Sequence, residues 1–186
     1  MKKITVLIVV ALILLTHPAF AERADKKFRH RQKNERKAFW SQQKSENRDF
    51  KRRLNNIPPE ERASEIAKHR ETQFNENRAF REKLHAENMA LLKEKLAKNK
   101  KLTDAEKTDL INFTENQYRE TLSFRDQQHA EDMAFFERIA NDSVMTREQK
   151  KQAIKDYMTQ QKKTNEAHHE ERQTEFDQFK KAFKTT

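Results

Sequence analysis

Phenylalanine recurs at intervals of eleven residues along most of this chain. The repeat position is held by Phe28, Phe39, Phe50, Phe113, Phe124 and Phe135, and elsewhere by His69, Phe80, Leu91, Tyr157, His168 and Phe179. Eleven residues make three helical turns at about 3.67 residues per turn, so this period predicts long helices that pack straight or with a slight right-handed supercoil. We therefore expect an all-α protein, an elongated helical bundle or coiled coil.

The composition excludes several classes of chemistry. The chain has no glycine among its 186 residues. Phosphate-binding loops, dinucleotide fingerprints and nucleophile elbows need glycine where the backbone approaches a ligand or takes a positive φ. The absence of cysteine also excludes disulfides, thiolate metal sites and cysteine nucleophiles. Because no catalytic signature is present, we expect a protein that is not an enzyme.

The first 21 residues have the pattern of a secretory signal peptide. A lysine-rich start at residues 1–3 precedes an apolar run at residues 4–15, and Ala19-Phe20-Ala21 forms an A-x-A cleavage site. The apolar run is short for a membrane span, and no second one follows it. We expect an exported protein that begins near Glu22 and resides in the periplasm, with full secretion as the alternative.

Three breaks divide the remaining chain into four helices of similar length. The breaks fall at residues 55–59, 99–103 and 141–146, where Asn, Asp and Pro favour helix ends and turns. Thr103-Asp104-Ala105-Glu106 and Thr146-Arg147-Glu148-Gln149 each have the form of a capping box. The prediction is a single elongated domain, residues 22–186, with antiparallel helices at about 24–55, 59–98, 104–140 and 147–183.

Polar side chains accompany the aromatic repeat. With the aromatic counted as the first position, the fifth position is mostly Gln and the eighth mostly acidic, and both lie beside the aromatic stripe. Aromatic layers about 16 Å apart would then alternate with Gln and Glu. Either these groups set the register inside the seam, as buried polar residues do in coiled coils, or they point outward to water. With so few apolar layers, the fold is expected to need self-association or a partner.

From Glu22 onward, the excess positive charge lies entirely on the first helix. Residues 22–53 hold 13 basic and 5 acidic residues, whereas the two kinds are equal in number from Leu54 onward. The predicted binding residues are Arg23, Lys26, Lys27, Arg29, Arg31, Lys33, Arg36, Lys37, Trp40, Lys51, Arg52 and Arg53. Such a helix can bind acidic proteins, anionic lipid headgroups or nucleic acid, the last being least expected for an exported protein. The alternative is a solvated charged face.

Histidine and methionine occur at helical spacing among carboxylates. The candidate metal ligands are His85, Met89, His129, Met133, His168 and His169. Histidine with methionine suits Cu(I), whereas histidine with carboxylates suits Zn or Ni. A periplasmic metal-binding or metal-resistance protein is therefore an alternative function, and exposed polar residues are the simpler interpretation. No other cofactor is expected.

Two of the helix starts carry a family resemblance. Leu102-Thr103-Asp104-Ala105-Glu106 and Met145-Thr146-Arg147-Glu148-Gln149 resemble the Leu-Thr-x-x-Gln motif of the Spy and CpxP family of small periplasmic helical proteins. Ile57-Pro58-Pro59-Glu60-Glu61 resembles a third copy. The resemblance implies a role in envelope stress, as an ATP-independent chaperone or a modulator of a sensor kinase. The basic periplasmic chaperone Skp is similar in character, with no motif to match.

These observations predict a non-catalytic periplasmic binding protein, chaperone-like or an envelope-stress adaptor. Its basic first helix would hold acidic or partly unfolded protein clients or an anionic envelope surface, and a homo-oligomer is expected. Besides the metal-binding protein, a structural protein whose helices self-assemble is the remaining alternative.

Overall fold

The protein is all-α, as the eleven-residue period predicts. The computed structural model describes the backbone of residues 19–184 and the side chains of residues 25–58 and 61–183. Its four helices are α1 (Ala19–Leu54), α2 (Pro59–Lys98), α3 (Asp104–Asn141) and α4 (Arg147–Lys184), and the described range contains no strand. The bounds of the last three agree with prediction to within one residue. Most of the predicted signal peptide, residues 1–21, lies outside the described residues, and its removal stays a prediction.

The helix starts at α3 and α4 confirm both predicted capping boxes. The Thr103 amide donates to Glu106 Oε2 at 2.7 Å, and the Glu106 amide donates to Thr103 Oγ1 at 3.3 Å. The same exchange joins Thr146 and Gln149, at 2.8 and 3.2 Å. The backbone and side-chain donors of Thr103 lower the pKa of the Glu106 carboxyl. Each box satisfies amide donors that the first helical turn leaves without partners.

The turns are built without glycine. No described residue has a positive φ. Pro58, which precedes α2, has φ −51° and ψ 139°, and Pro59 is the first helical residue. Asn99, which follows the last residue of α2, has an extended backbone. Between α3 and α4, Asp142 Oδ1 accepts the amides of Val144 and Met145, both at 2.8 Å. Asn, Asp and Pro therefore end these helices and form the turns, where glycine is common in other proteins.

The chain divides into two compact units at Thr114. The first contains α1, α2 and the start of α3, and its buried apolar residues are Leu84, Met89, Leu92, Leu96 and Leu110. The second contains the rest of α3 and α4, with Phe135 and Ile139 buried. No helix in the described residues is apolar over a length sufficient to cross a bilayer. A single domain over residues 22–186 stays a prediction.

In the first unit, α1 and α2 form an antiparallel hairpin whose aromatic repeat positions face each other. Phe39 stacks on Phe80 with ring centroids 4.1 Å apart and an interplanar angle of 8°. Eleven residues further along α1, Phe50 stacks on His69, eleven residues earlier on α2, at 3.9 Å and 14°. The second aromatic pair thus lies eleven residues later on α1 and eleven residues earlier on α2. Antiparallel helices that share an eleven-residue period can pair their aromatic residues in this way.

The hairpin of α3 and α4 repeats this arrangement. Phe135 stacks on Tyr157 at 3.9 Å and 6°, and Phe124 stacks on His168 at 3.8 Å and 12°. Burial, together with a hydrogen bond of 2.7 Å from its hydroxyl to Asp132, raises the pKa of Tyr157 to about 12. The phenol therefore stays neutral at physiological pH and donates to the carboxylate.

The polar positions between the aromatic layers lie inside the hairpin seams. Gln32 and Gln43 are only 6% and 4% exposed. Gln43 Nε2 donates to Glu76 at 2.5 Å, and Gln32 Nε2 donates to Glu87 at 3.2 Å. In the second hairpin, Gln117 donates to Glu175 at 2.5 Å. The fifth position of one helix thus bonds to the eighth position of its partner, so the inward alternative is the one the structure adopts.

Candidate binding surface on the first helix

The surface of α1 that points away from α2 is basic along its whole described length. We call it the basic face. Its charged members are Lys26, Lys33, Lys37, Lys44, Arg48, Lys51 and Arg52, and all seven are exposed. Because Phe39 and Gln43 face α2, residues offset from them by about half a helical turn point outward. From Lys26 to Arg52 the basic face extends about 39 Å at 1.5 Å per residue.

The basic charges follow the same eleven-residue period as the aromatic residues. Lys26, Lys37 and Arg48 form one row, and Lys33 and Lys44 form a second row beside it. On a helix with this period, residues eleven apart lie directly above one another. The charges therefore form straight rows along the helix.

Between Lys26 and Asn55, no carboxylate belongs to the basic face. The other residues at these positions are Arg29, His30, Trp40, Ser41 and Asn55. In the described part of the chain, Lys33, Lys37, Lys44 and Lys51 have no acidic side chain within 4 Å, and Arg48 and Arg52 approach only Asp49, at 3.9 and 3.6 Å. Like charges four residues apart, as in Lys33 and Lys37, destabilise a helix by about 0.2 to 0.5 kcal/mol per pair. An anionic partner would remove this repulsion.

The outer surface of α4 provides a contrast within the same protein. There Lys162 pairs with Glu166 at 3.6 Å and Lys151 approaches Glu148 at 4.0 Å. Charges of both signs alternate along that helix, as is usual for a solvated helical surface. The unmixed charge of the basic face is therefore a property of α1 and not of every helix in the chain.

Trp40 lies at the edge of the basic face, near its middle. It is the only tryptophan in the chain, and it is 51% exposed. Its ring packs edge-on against Phe39, with centroids 5.3 Å apart and an interplanar angle of 73°. This contact holds the indole in place while leaving half of it in contact with solvent. An amphipathic ring beside a row of cations is a common element of binding surfaces.

The structure separates the twelve predicted binding residues into groups. Lys26, Lys33, Lys37, Lys51 and Arg52 lie on the basic face, with Trp40 at its edge. Arg29 and Arg36 are half-buried. Lys27 and Arg53 are exposed but lie outside the basic face. Arg31 bonds to Glu87 of α2 at 3.1 Å, which is a structural role in the hairpin. The side chain of Arg23 lies outside the described residues.

Sequence reasoning omitted two members of the basic face, Lys44 and Arg48. They follow Lys33 and Lys37 by eleven residues and are just as exposed. The predicted residues are those where the local density of positive charge is highest, at the two ends of the helix. If the eleven-residue period had been used for the basic residues as it was for the aromatic ones, it would have identified both Lys44 and Arg48.

The predicted metal ligands have varied surroundings. Met89 is 4% exposed and belongs to the apolar core, and His168 forms an aromatic layer with Phe124. His85, His129 and Met133 are half-buried, and His169 is exposed. Among the described residues, no group of three or more His, Asp or Glu side chains is arranged to hold a metal ion. For Met89 and His168, packing accounts for the side chain, and metal binding stays a prediction.

Comparison with protein-family models, with curated proteins and with solved structures found no match to this chain.

Proposed function

We propose that this protein is a non-catalytic binding protein of the periplasm, chaperone-like or an envelope-stress adaptor. In this proposal it holds acidic or partly unfolded polypeptides on the basic face of α1. The observation that carries the proposal is the rows of exposed lysine and arginine side chains without a carboxylate among them. The signal-peptide pattern of residues 1–21 supports export.

The exposed charges of the basic face favour transient and unspecific binding of client polypeptides. Exposed lysines attract acidic segments over distances of about 8 to 10 Å at moderate salt and lose little solvation in doing so. A face about 39 Å long matches about twelve residues of extended chain, at roughly 3.3 Å per residue. Trp40 adds apolar contact for a client that exposes hydrophobic side chains. Binding is expected to be promiscuous and to weaken steeply with salt.

A direct test measures the affinity for an acidic chain that has no stable fold. Reduced and carboxymethylated α-lactalbumin with a fluorescent label is such a probe. It is held at nanomolar concentration, and its anisotropy gives the affinity as this protein is added. The variant K33Q/K37Q/K44Q/R48Q removes four charges from the basic face. We expect its affinity to fall by about tenfold or more, because the electrostatic attraction depends on these charges.

The matched control removes four charges from α4. The variant K151Q/K155Q/K162Q/K163Q has the same net charge as the basic-face variant, and all four of its lysines are exposed. Its affinity for the probe is expected to stay within about twofold of the wild-type value. Equal losses in the two variants would show that net charge alone drives binding, and unchanged affinity in the basic-face variant would refute the proposal.

A second measurement tests the chaperone-like part. Light scattering follows the aggregation of a denatured acidic protein on dilution, with and without this protein. Suppression by the wild type and by the α4 control, and its loss in the basic-face variant, is the expected outcome. Binding of the labelled probe without any suppression would favour an adaptor over a chaperone.

A further inference from the structure

An open groove lies on the C-terminal half of the basic face of α1. Its volume is about 730 Å³. Its lining includes four cationic side chains and two hydroxyls, namely Lys44, Arg48, Lys51, Arg52, Ser41 and Ser45. All six belong to α1, and all are exposed except Ser45, which is half-buried. A ligand in this groove would therefore be held by a single helix.

The groove differs in chemistry from the rest of the basic face. Of the seven charged members of that face, the two arginines, Arg48 and Arg52, line the groove, whereas those nearer the start of α1 are lysines. A guanidinium presents paired donors that match two oxygens of a phosphate, and a serine hydroxyl adds a further donor. From Lys44 to Arg52 the four cations span about 12 Å. Three kinds of donor are thus concentrated along little more than two turns of helix.

Little negative charge lies beside the groove. In the described part of the chain, Arg48 and Arg52 approach one carboxylate, that of Asp49, at 3.9 and 3.6 Å. Asp49 is exposed to solvent, and the Ser45 hydroxyl lies 3.5 Å from its Oδ2. Arg48 Nη2 donates to Ser45 Oγ at 3.3 Å, which places a guanidinium beside a hydroxyl. Four cations against one carboxylate leave an excess of three positive charges, which attracts anions.

The helix dipole accounts for only part of this cluster. Lys51 and Arg52 lie in the last turn of α1, where cations also offset the partial negative charge of the helix end. Lys44 and Arg48 precede that turn, and the effect of the dipole falls off within one turn. The dipole therefore gives no reason for the charges of Lys44 and Arg48.

We propose that this groove is a binding site for phosphate, either as a phosphomonoester on a lipid headgroup or as a free polyphosphate. A terminal phosphate group carries a charge of about −1.5 to −2 at neutral pH and presents three acceptor oxygens. It therefore engages more of the clustered donors than a carboxylate, which has one charge and two oxygens. Because the groove is open to solvent, salt weakens the contact. The ligand is distinct from the clients of the proposed function, and its binding does not depend on them.

Isothermal titration calorimetry with tripolyphosphate in metal-free buffer tests the site. The variant K44Q/R48Q/R52Q removes three charges from the groove. The control K26Q/K33Q/K37Q removes three exposed charges from the other half of the basic face, so the two variants have the same net charge. We expect the affinity to fall by about tenfold or more in the groove variant and by less than about threefold in the control, because salt screens the more distant charges. Equal losses in the two variants, or a wild type that does not bind tripolyphosphate, would overturn the proposal.

A carboxylate ligand tests the preference for phosphate. Butanetetracarboxylate has a charge similar to that of tripolyphosphate slightly above neutral pH. The wild type is expected to bind it more weakly by about fivefold or more, because a carboxylate lacks the third acceptor oxygen of a terminal phosphate. Equal affinity for the two ligands would show that the groove attracts any polyanion and would reject the assignment to phosphate.

Vesicles distinguish the two sources of phosphate. Phosphatidic acid presents a terminal phosphate, whereas the phosphate of phosphatidylglycerol is a diester. Cosedimentation compares vesicles of the two lipids in phosphatidylcholine at equal surface charge. Stronger retention on phosphatidic acid that is lost in K44Q/R48Q/R52Q would identify a lipid headgroup as the ligand. Tripolyphosphate binding with retention no stronger than on phosphatidylglycerol would identify a free polyphosphate, and either result supports the site.

The two proposals fail separately. Circular dichroism verifies the helices of each variant, and R48Q alone, with an expected loss of about threefold, replaces the triple variant should its helix content fall. A wild type that binds tripolyphosphate but not carboxymethylated α-lactalbumin would reject only the proposed function. A wild type that binds this client but not tripolyphosphate would reject only the phosphate site.

Discussion

His168 lies flat against Phe124, with ring centroids 3.8 Å apart and an interplanar angle of 12°. Its Nε2 is buried and has no hydrogen-bond partner in the described part of the chain. His69 stacks on Phe50 in the other hairpin, and its Nε2 lies 3.1 Å from Asn47 Oδ1. Each hairpin therefore contains one layer in which a histidine ring takes the place of a phenylalanine.

These layers predict that stability falls as the solution is acidified. Burial lowers the pKa of both histidines from the ordinary 6.5, against an opposing effect of nearby glutamates such as Glu46 and Glu171. Below pH 6.5 the unfolded chain binds protons that the folded chain excludes, so the free energy of unfolding decreases with falling pH. Thermal unfolding followed by circular dichroism should show a lower Tm at about pH 5 than at pH 7.5.

The variant H69F/H168F isolates this effect. Its Tm should depend less on pH than the wild-type Tm in this range, because phenylalanine does not titrate. H169Q alters an exposed histidine of α4 and should keep the wild-type dependence. Identical pH profiles for the wild type and H69F/H168F would contradict the assignment.

The buried amide of Gln43 connects two carboxylates. Its Nε2 donates to Glu76 on α2 at 2.5 Å and to Glu46 on α1 at 3.3 Å. Q43A leaves these carboxylates without a shared donor and should lower the free energy of unfolding by about 1 to 3 kcal/mol. Q42A removes an exposed neighbour that bonds only within α1 and should cost less than about 0.5 kcal/mol. Urea unfolding measures both, and equal effects would show that the seam contact is not stabilising.

The stacked pair of Phe39 and Phe80 should be the main apolar contact in the middle of the first hairpin. Full truncation of a buried phenylalanine costs about 3 to 5 kcal/mol, and Phe39 is half-buried, so we expect F39A to cost roughly 2 to 4 kcal/mol. The adjacent W40A truncates a half-exposed ring and should cost less than F39A. A smaller loss in urea unfolding for F39A than for W40A would mean that the aromatic layer is not the anchor of the hairpin.

The capping box at α3 should contribute measurably to stability. T103A removes the hydroxyl that accepts the Glu106 amide and is expected to cost about 1 kcal/mol. T108A is the control, since the Thr108 hydroxyl bonds back to the Asp104 carbonyl within the helix and alanine is the better helix former. Its free energy of unfolding should be unchanged or slightly higher. A loss in T108A as large as in T103A would argue against a specific cap.

Trp40 should report binding at the basic face without a label. Because it is the only tryptophan and is half-exposed, its fluorescence emission should shift to shorter wavelength when a partner covers it. The shift is measured by titration with carboxymethylated α-lactalbumin. The tryptophans of this client are oxidised beforehand, so that it contributes no tryptophan fluorescence of its own. The basic-face variant K33Q/K37Q/K44Q/R48Q should show none at the same concentrations. A shift that persists in this variant would place the client elsewhere.

Much of the fold could be read from the sequence, because its determinants are local. The helix ends at residues 103 and 146 were predicted because a threonine and an acidic or amide residue three positions later interact within one turn. The start of α1 was placed at about residue 24, whereas the described helix already includes Ala19. That segment adjoins the predicted cleavage site, where a pattern typical of a signal peptide carries no signal for a helix end.

The candidate site was predicted only in part. The high charge of the first helix identified α1 correctly as the basic element, yet Lys44 and Arg48 were omitted and Arg31 was included. Whether a basic side chain points outward or across to α2 depends on which face of α1 the hairpin covers. Arg31 reaches Glu87, 56 residues away, and charge density along the chain contains no information about that contact.

By itself, the sequence determined that this protein is helical, where the three turns between its helices fall, and that aromatic layers recur every eleven residues. Capping, helix propensity and periodicity act over a few turns, so a linear pattern is sufficient to specify them. The tertiary structure decided that Gln43 meets Glu76, that His168 covers Phe124, and which face of α1 remains basic and exposed. These outcomes depend on the register of one helix against another, which is set when distant segments pack and all their layers align together.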